Sequence, residues 1–222
     1  SSVTAAAKEI YQADPASYKL TEIPATRLQW YILNQERMDD AVRAAVNLTV
    51  DPTAIAAFLG GTVTPAVGPF GPSTAYGQVT KPAPDPEKAK ELLEQDGFTL
   101  GSDGIYQKDG KKLTLNVCYY AARSLDTIAL LMQEQLKAVG IDVTFTCVED
   151  ADATYLSTRD FDIALYCMIA DKNGDPYYFI NSTLRGTSYY NVGGFESAEC
   201  DALINALQYE TDTAKRAELA NK

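Results

Sequence analysis

The 222-residue chain is long enough for one large domain or two small ones, and its 46% hydrophobic residues exclude global disorder. No stretch approaches the ~18 consecutive apolar residues of a membrane-spanning helix. Its 19 basic and 30 acidic residues give a net charge of −11, which repels phosphate backbones and anionic lipid head groups and argues against nucleic acid as a partner.

Histidine is absent, and this absence excludes much of the common chemistry of protein sites. His-ligated zinc, Ser-His-Asp and Cys-His catalysis and an imidazole general base are all ruled out. The four cysteines include no CxxC pair, so a zinc ribbon and a thioredoxin motif are excluded as well. The sequence therefore predicts no catalytic residues, no metal site and no cofactor.

The first part of the chain carries clear start and stop signals for short elements. Acidic residues precede two of the helical patterns, and a Gly-Gly pair follows one of them. The predicted elements are a weak helix over residues 3–13, an extended segment over residues 18–33 that is interrupted at Pro24, a helix after Asp39 and a helix from Pro52 to Gly60.

The segment at about residues 62–86 is rich in proline and glycine and is predicted to be one long loop. Loops of this length are uncommon in compact domains and usually have a function or link two parts. Two interpretations stay open at this point. The segment is either a strap over the core or one wall of a pocket.

The middle of the chain indicates a parallel βαβ unit. A helix is predicted from Asp85 to Gly97, and Asp109-Gly110 folds residues 105–115 into a hairpin because this pair tolerates a type I′ turn. An amphipathic helix over residues 125–139 then separates strands predicted at residues 113–120 and 141–148, and strands joined in this way lie parallel.

A short helix is predicted over residues 150–158, followed by a strongly apolar strand over residues 161–168 that is typical of a central strand covered on both faces. In open α/β sheets ligands bind beyond the carboxyl ends of the strands, so the polar turn over residues 169–176 is the best candidate for a binding loop. Two helices, over residues 196–209 and from Thr213 onward, close the sequence.

Several segments match one family pattern in order, among them Phe161-Asp162-Ile163-Ala164-Leu165 and Gly174-Asp175-Pro176-Tyr177-Tyr178-Phe179. The others are residues 40–51, 85–93, 103–105, 108–113, 133–143 and 191–197. This ordered set resembles the extracytoplasmic substrate-binding proteins of ABC importers for peptides, dipeptides and nickel, which form family 5 of the bacterial solute-binding proteins. The resemblance extends over about residues 18–222.

The resemblance implies an α/β fold, namely a type II periplasmic-binding-protein-like lobe with a mixed, mostly parallel sheet flanked by helices. Residues 1–222 would be the second, C-terminal lobe of a two-lobe protein, since the start has no signal-peptide pattern and the end lies within a helical pattern. We then expect a non-enzymatic protein outside the cytoplasm, held to the membrane only by a lipid anchor on a missing N-terminal part. It would carry peptides, dipeptides or nickel chelates to ABC permease subunits.

The candidate ligand-binding residues lie at or after predicted strand ends. Asp171 matches the region where peptide-binding relatives place an acid for the ligand's amino group, and Arg123 has a planar fork that suits a carboxylate. Tyr119, Tyr120 and Tyr190 offer amphipathic rings that suit a wet cleft. The backbone of Cys167, Met168, Ile169 and Ala170 could pair with an extended ligand as an added strand.

Two further features keep alternatives open. Cys118, Cys147 and Cys167 all fall on predicted strands, where buried free thiols are expected, although an oxidising location would permit a bridge. The cluster of Glu149, Asp150 and Asp152 holds the only plausible carboxylate pair for a hydrolase such as a glycosidase. Capping of the following helix explains these acids more simply.

Overall fold

A four-stranded mixed β-sheet organises the chain, and the computed structural model describes residues 3–23 and 25–222. The strands are β1 (Arg27–Leu33), β2 (Thr99–Leu100), β3 (Tyr106–Lys108), β4 (Lys111–Lys112), β5 (Thr114–Tyr120), β6 (Asp142–Val148) and β7 (Ile163–Ile169). The helices are α1 (Ala5–Ala13), α2 (Asp40–Thr49), α3 (Pro52–Phe58), α4 (Pro86–Gln95), α5 (Leu125–Ala138), α6 (Tyr177–Leu184), α7 (Ala198–Tyr209) and α8 (Thr213–Ala220). Among the described residues, no helix has the length and apolar character needed to cross a membrane.

The strand order in the main sheet is β1-β7-β5-β6. β5 lies parallel to β6 along its whole length and parallel to β7 at Val117 and Cys118, whereas β1 lies antiparallel to β7. The predicted parallel βαβ unit and the central position of the apolar strand are both confirmed. The sheet is therefore mixed and mostly parallel, as expected.

The predicted hairpin forms a small second sheet of β2, β3 and β4. Asp109 and Gly110 have φ angles of 52° and 74°, which are the positive values that both central residues of a type I′ turn require. The structure adds β2, a two-residue strand that the sequence pattern did not predict. This small sheet packs Tyr106 into the main core beside the end of α5.

Both faces of the main sheet are covered. On one face, α2, α4 and α5 enclose the largest core cluster, which includes the fully buried Leu93, Met132 and Leu136. On the other face, α6, α7 and a single turn of π-helix over Asp152–Leu156 cover the sheet with Phe179 and Leu207 among their buried residues. Residues 59–85 contain neither helix nor strand and run over the surface between α3 and α4.

Three details differ from the sequence predictions. α6 was not expected, because Tyr177–Leu184 is rich in aromatic and β-branched residues with weak helix propensity, and burial of its side chains overrides that preference. Residues 18–23 lie outside any strand, and the predicted interruption at Pro24 falls outside the described residues. Cys147 is exposed because β6 is an edge strand, so burial was correct for Cys118 and Cys167 only, and all three thiols are free.

Gly140 should be a critical backbone position, since its φ is +92° and a Cβ there would lie 2.8 Å from the Tyr106 ring. Gly110 is a matched control, because its φ is also positive but a Cβ would meet nothing within 4 Å. Alanine in the left-handed region costs about 1–2 kcal/mol at either site. Crowding at Gly140 adds about 1–3 kcal/mol. Urea unfolding should therefore show a larger loss for Gly140→Ala, and equal losses would refute the close packing of Tyr106.

Candidate ligand-binding site

The ends of four strands lie side by side at one end of the main sheet. The carboxyl ends of β5, β6 and β7 meet there because these strands are parallel, and the amino end of β1 joins them because Arg27 pairs with Ile169. We call this end of the sheet the strand-end surface and define it by Arg27, Tyr120, Val148, Ile169 and Asp171. It is the place where an open α/β sheet binds its ligands.

Asp171 lies two residues beyond the end of β7, and two hydrogen bonds hold its carboxylate in position. One carboxylate oxygen, Oδ2, accepts a hydrogen bond of 2.7 Å from the Tyr76 hydroxyl, and Oδ1 accepts one of 3.0 Å from the backbone N–H of Gly174. Burial and the bond to Asp171 raise the pKa of Tyr76 to about 12. Each carboxylate oxygen keeps a further lone pair, so Asp171 can still accept from a ligand cation.

Two arginines lie close to Tyr120 at the strand-end surface. Burial raises the pKa of Tyr120, and the positive charges of Arg123 and Arg27 oppose that rise. Arg123 stands in the turn after β5 with φ 57°, where its carbonyl accepts a hydrogen bond from the Gln29 side chain. Arg27 also donates to the Cys167 thiol at 3.8 Å. Sequence reasoning missed Arg27, because the pattern showed an extended segment but not its antiparallel pairing with β7.

An aromatic cluster continues the site on the α6 side of the sheet. The Tyr190 ring stacks on the Tyr166 ring at 5.6 Å, and the Tyr120 ring meets Tyr166 edge-on at 6.0 Å. Tyr166 donates a 3.0 Å hydrogen bond to the Asp152 carboxylate, and burial, followed by its bonds to Tyr190 and Asp152, raises its pKa. Two of the three predicted tyrosines therefore meet around a tyrosine that the sequence analysis did not select.

The third predicted tyrosine, Tyr119, packs into the opposite face. Its ring lies edge-on to Phe145 at 5.8 Å and beside Cys147, and burial is the main cause of its raised pKa. Tyr119 thus belongs to the packing between β5 and β6. The structure separates Tyr119 from the aromatic cluster, although Tyr120, its neighbour in the sequence, belongs to that cluster.

The predicted backbone ligand, residues 167–170, is only partly available. The Ala170 N–H donates to the Thr26 carbonyl at 3.0 Å, and strand alternation turns the backbone of Met168 toward β1 in the same way. The expectation is therefore corrected for these two residues, because β1 already occupies their side of β7. Cys167 and Ile169 turn toward β5, whose registered pairing with β7 ends at Ala164.

The acids considered for a hydrolase have structural partners. Asp150 accepts from the Ala153 N–H at 3.1 Å, which is the capping role expected for it, and Asp152 accepts from Tyr166. Glu149 is exposed. Within residues 3–23 and 25–222, no three Cys, Asp or Glu side chains gather closely enough to hold a metal ion.

Comparison with known proteins identifies the family. Residues 1–191 match the profile of the bacterial extracellular solute-binding proteins, family 5 Middle, so the chain belongs to this family. It is 27% identical over 198 residues to the nickel-binding protein NikA of Staphylococcus aureus, covering 88% of this chain and 39% of that protein. It is 27% identical over 140 residues to the oligopeptide-binding protein OppA of Mycobacterium bovis, covering 62% of this chain and 23% of that protein.

The fold is also shared with solved structures. NikA from Brucella suis in complex with Fe(III)-EDTA superposes with a TM-score of 0.81 at 28% identity, covering 98% of this chain and 46% of that chain. The fold is therefore the type II periplasmic-binding-protein-like α/β fold that was expected. The chain spans less than half the length of each of these three proteins.

The Tyr76–Asp171 bond should be visible in the pH dependence of stability. A tyrosine pKa raised from 10.0 to about 12 contributes stability that is complete below pH 10 and is lost as the pH rises toward 12. The unfolding free energy of Tyr76→Phe should therefore fall less steeply over this range than that of the wild type. Tyr209→Phe, at a side chain that is 78% exposed, should keep the wild-type slope. Identical slopes for all three proteins would contradict the bond.

Proposed function

We propose that this chain is the second lobe of a two-lobe solute-binding protein that captures a peptide or a nickel chelate for an ABC importer. The observation that carries the proposal is the strand-end surface, which holds Asp171 and, beside Tyr120, the charges of Arg27 and Arg123, on a fold shared with this family. Membership of the family and the share of each relative that the chain covers support the assignment to one lobe. Binding without catalysis suits a site whose acids already have structural partners.

The charges of the site suit a ligand that carries both signs. Asp171 is the proposed acceptor for a ligand ammonium group, and the planar guanidinium of Arg123 is the proposed partner for a carboxylate. When a second lobe closes over such a ligand, water leaves the cleft and each charged group must find a partner. Tyr120 and Tyr190 then provide apolar surface that tolerates some remaining water.

Backbone pairing is the proposed source of affinity that does not depend on the ligand's side chains. Cys167 and Ile169 turn their backbone groups away from β1, beyond the registered part of the β5–β7 pairing. An extended peptide could add to these groups as a strand. Such contacts read the ligand backbone and accept varied side chains.

Nickel, if it is the cargo, is proposed to arrive as a chelate. The chain has no histidine, so imidazole ligands to the metal would have to come from the chelator or from elsewhere in the protein. A chelate of amino acids offers carboxylates and amines to the same groups that suit a peptide. The proposed peptide and chelate ligands therefore use one set of contacts.

The proposed location follows from the family, whose members are extracellular solute-binding proteins. We propose that the full-length protein is tethered outside the cytoplasm by a lipid anchor on its N-terminal part and delivers its ligand to the permease subunits of an importer. This arrangement needs no spanning helix in the binding lobe.

Calorimetry on the full-length protein tests the proposed function. Titration with mixed short peptides and with nickel–histidine chelates should give saturable heats for one of the two classes. Chromogenic glycosides serve as the control for the hydrolase alternative and should be left intact. Absence of binding to both ligand classes, or turnover of a glycoside, would overturn the proposal.

The role of Asp171 can be tested separately. Asp171→Asn should weaken binding of a ligand with a free amino group by about 10-fold or more, because hydrogen bonds to charged groups contribute about 1.5–3 kcal/mol. Asp109→Asn in the hairpin turn makes the same change in charge away from the site and should bind like the wild type. If N-acetylating the ligand costs Asp171→Asn as much as it costs the wild type, Asp171 does not contact the ammonium group.

A further inference from the structure

The two hydrogen bonds on the Asp171 carboxylate come from two different segments of the chain. Tyr76 belongs to residues 59–85, which contain neither helix nor strand, and Gly174 belongs to the polar turn between β7 and α6. Segments of this kind take their position from bonds to the surrounding scaffold. Both segments are bonded to the same helix, α8, although they are about a hundred residues apart in the sequence.

Arg216 of α8 holds the turn. Its guanidinium donates to the Asp175 carboxylate at 2.6 Å and to the carbonyls of Leu207 and Glu210 at 2.6 and 2.7 Å. These two carbonyls lie at the end of α7, where carbonyls lack partners within the helix. The Arg216 side chain is only 19% exposed. Because its planar guanidinium has acceptors on two sides, it fixes Asp175 relative to α7 and α8.

Asp175 in turn anchors the turn that contacts Asp171. Its Oδ1 accepts from the first N–H of α6 at 2.8 Å, and its backbone N–H donates to the Lys172 carbonyl at 3.2 Å. Asn173 and Gly174 have φ angles of 60° and 71°, the positive values of a type I′ turn. The Gly174 N–H that donates to Asp171 therefore belongs to a tight turn anchored at Asp175.

Asn221, which caps the carboxyl end of α8, holds the other segment. Its Nδ2 donates to the Ala75 carbonyl at 2.7 Å, and its Oδ1 accepts from the Gln78 N–H at 3.0 Å. The two bonds lie on either side of Tyr76 in the sequence. Tyr76 and Leu219 of α8 also pack against the same apolar cluster. The hydroxyl that donates to Asp171 is thus placed by the end of α8.

We propose that α8 is the element that positions the ligand-binding carboxylate, with Arg216 and Asn221 fixing the two partners of Asp171 from opposite sides. Both are positioning residues, because their bonds go to Asp175 and to the backbone around Tyr76. The inference deepens the proposed function and rests on Asp171 as the acceptor for the ligand's ammonium group. A carboxylate supported at both oxygens presents its remaining lone pairs in one direction, which favours an ammonium group in one position.

Two measurements on the ligand-free, full-length protein test the two sides. Arg216→Ala should speed exchange of the Gly174 amide about 10-fold, measured by NMR with nitrogen-labelled glycine. Asn221→Ala should lower the pKa of Tyr76 from about 12 toward 10, measured with carbon-labelled tyrosine, because burial and the Asp171 bond both weaken. Lys215→Ala removes an exposed charge from the same helix and should change neither quantity. Wild-type behaviour in both variants would overturn the proposal, and Asn221→Ala decides alone if Arg216→Ala does not fold.

A double-mutant cycle tests whether the two residues act through Asp171. Arg216→Ala and Asn221→Ala should each weaken binding of trialanine about 3-fold or more, and neither should weaken it further when Asp171→Asn is also present. Equal weakening with and without Asp171→Asn would overturn the proposal, since the two residues would then act by another route. Failure of the wild type to bind trialanine would count against a peptide ligand. The exchange and titration measurements use no ligand, so they decide the role of α8 in that case as well.

Discussion

The parallel alignment of β5, β6 and β7 is the constraint on which the site depends. Parallel strands place all of their carboxyl ends at one end of the sheet, so Tyr120, Val148 and Ile169 lie together although they are far apart in the sequence. The amino end of the antiparallel β1, which carries Arg27, lies at the same end of the sheet. A register shift of one residue in β7 would move Asp171 along the strand direction relative to β1 and β5. It would also turn the buried side chains of β7 to the other face of the sheet.

Among the residues that the structure describes, tyrosine hydroxyls donate to carboxylates at three places. Tyr76 donates to Asp171, Tyr166 donates to Asp152 and Tyr106 donates to Glu94, at 2.7, 3.0 and 2.8 Å. Burial and the neighbouring acid raise the pKa of each of these tyrosines, so each stays a neutral donor. A chain without histidine thus fixes the position of its acids without adding a charge that titrates near neutral pH.

Local signals in the sequence predicted local structure well. The proline at Pro52, the Asp109-Gly110 turn and the period of α5 each act within a few residues, and each element forms where it was predicted. The failures concern properties set by distant contacts. α6 forms against local propensity because Phe179 is buried, and Cys147 is exposed because nothing pairs with the outer side of β6 among the described residues. Arg27 belongs to the site through a pairing across more than 130 residues, which no local pattern encodes.

The antiparallel strand β1 connects the two arginines near Tyr120. It carries Arg27 at its amino end, and its Gln29 side chain donates to the Arg123 carbonyl at 3.2 Å. The pairing of β1 with β7 from Arg27 to Leu33 holds both of these β1 residues on one ordered strand. Groups that are already in position lose less freedom when a ligand binds, which lowers the entropy that binding must overcome. The parallel strands thus bring their carboxyl ends together, and the antiparallel strand orders the charged groups beside them.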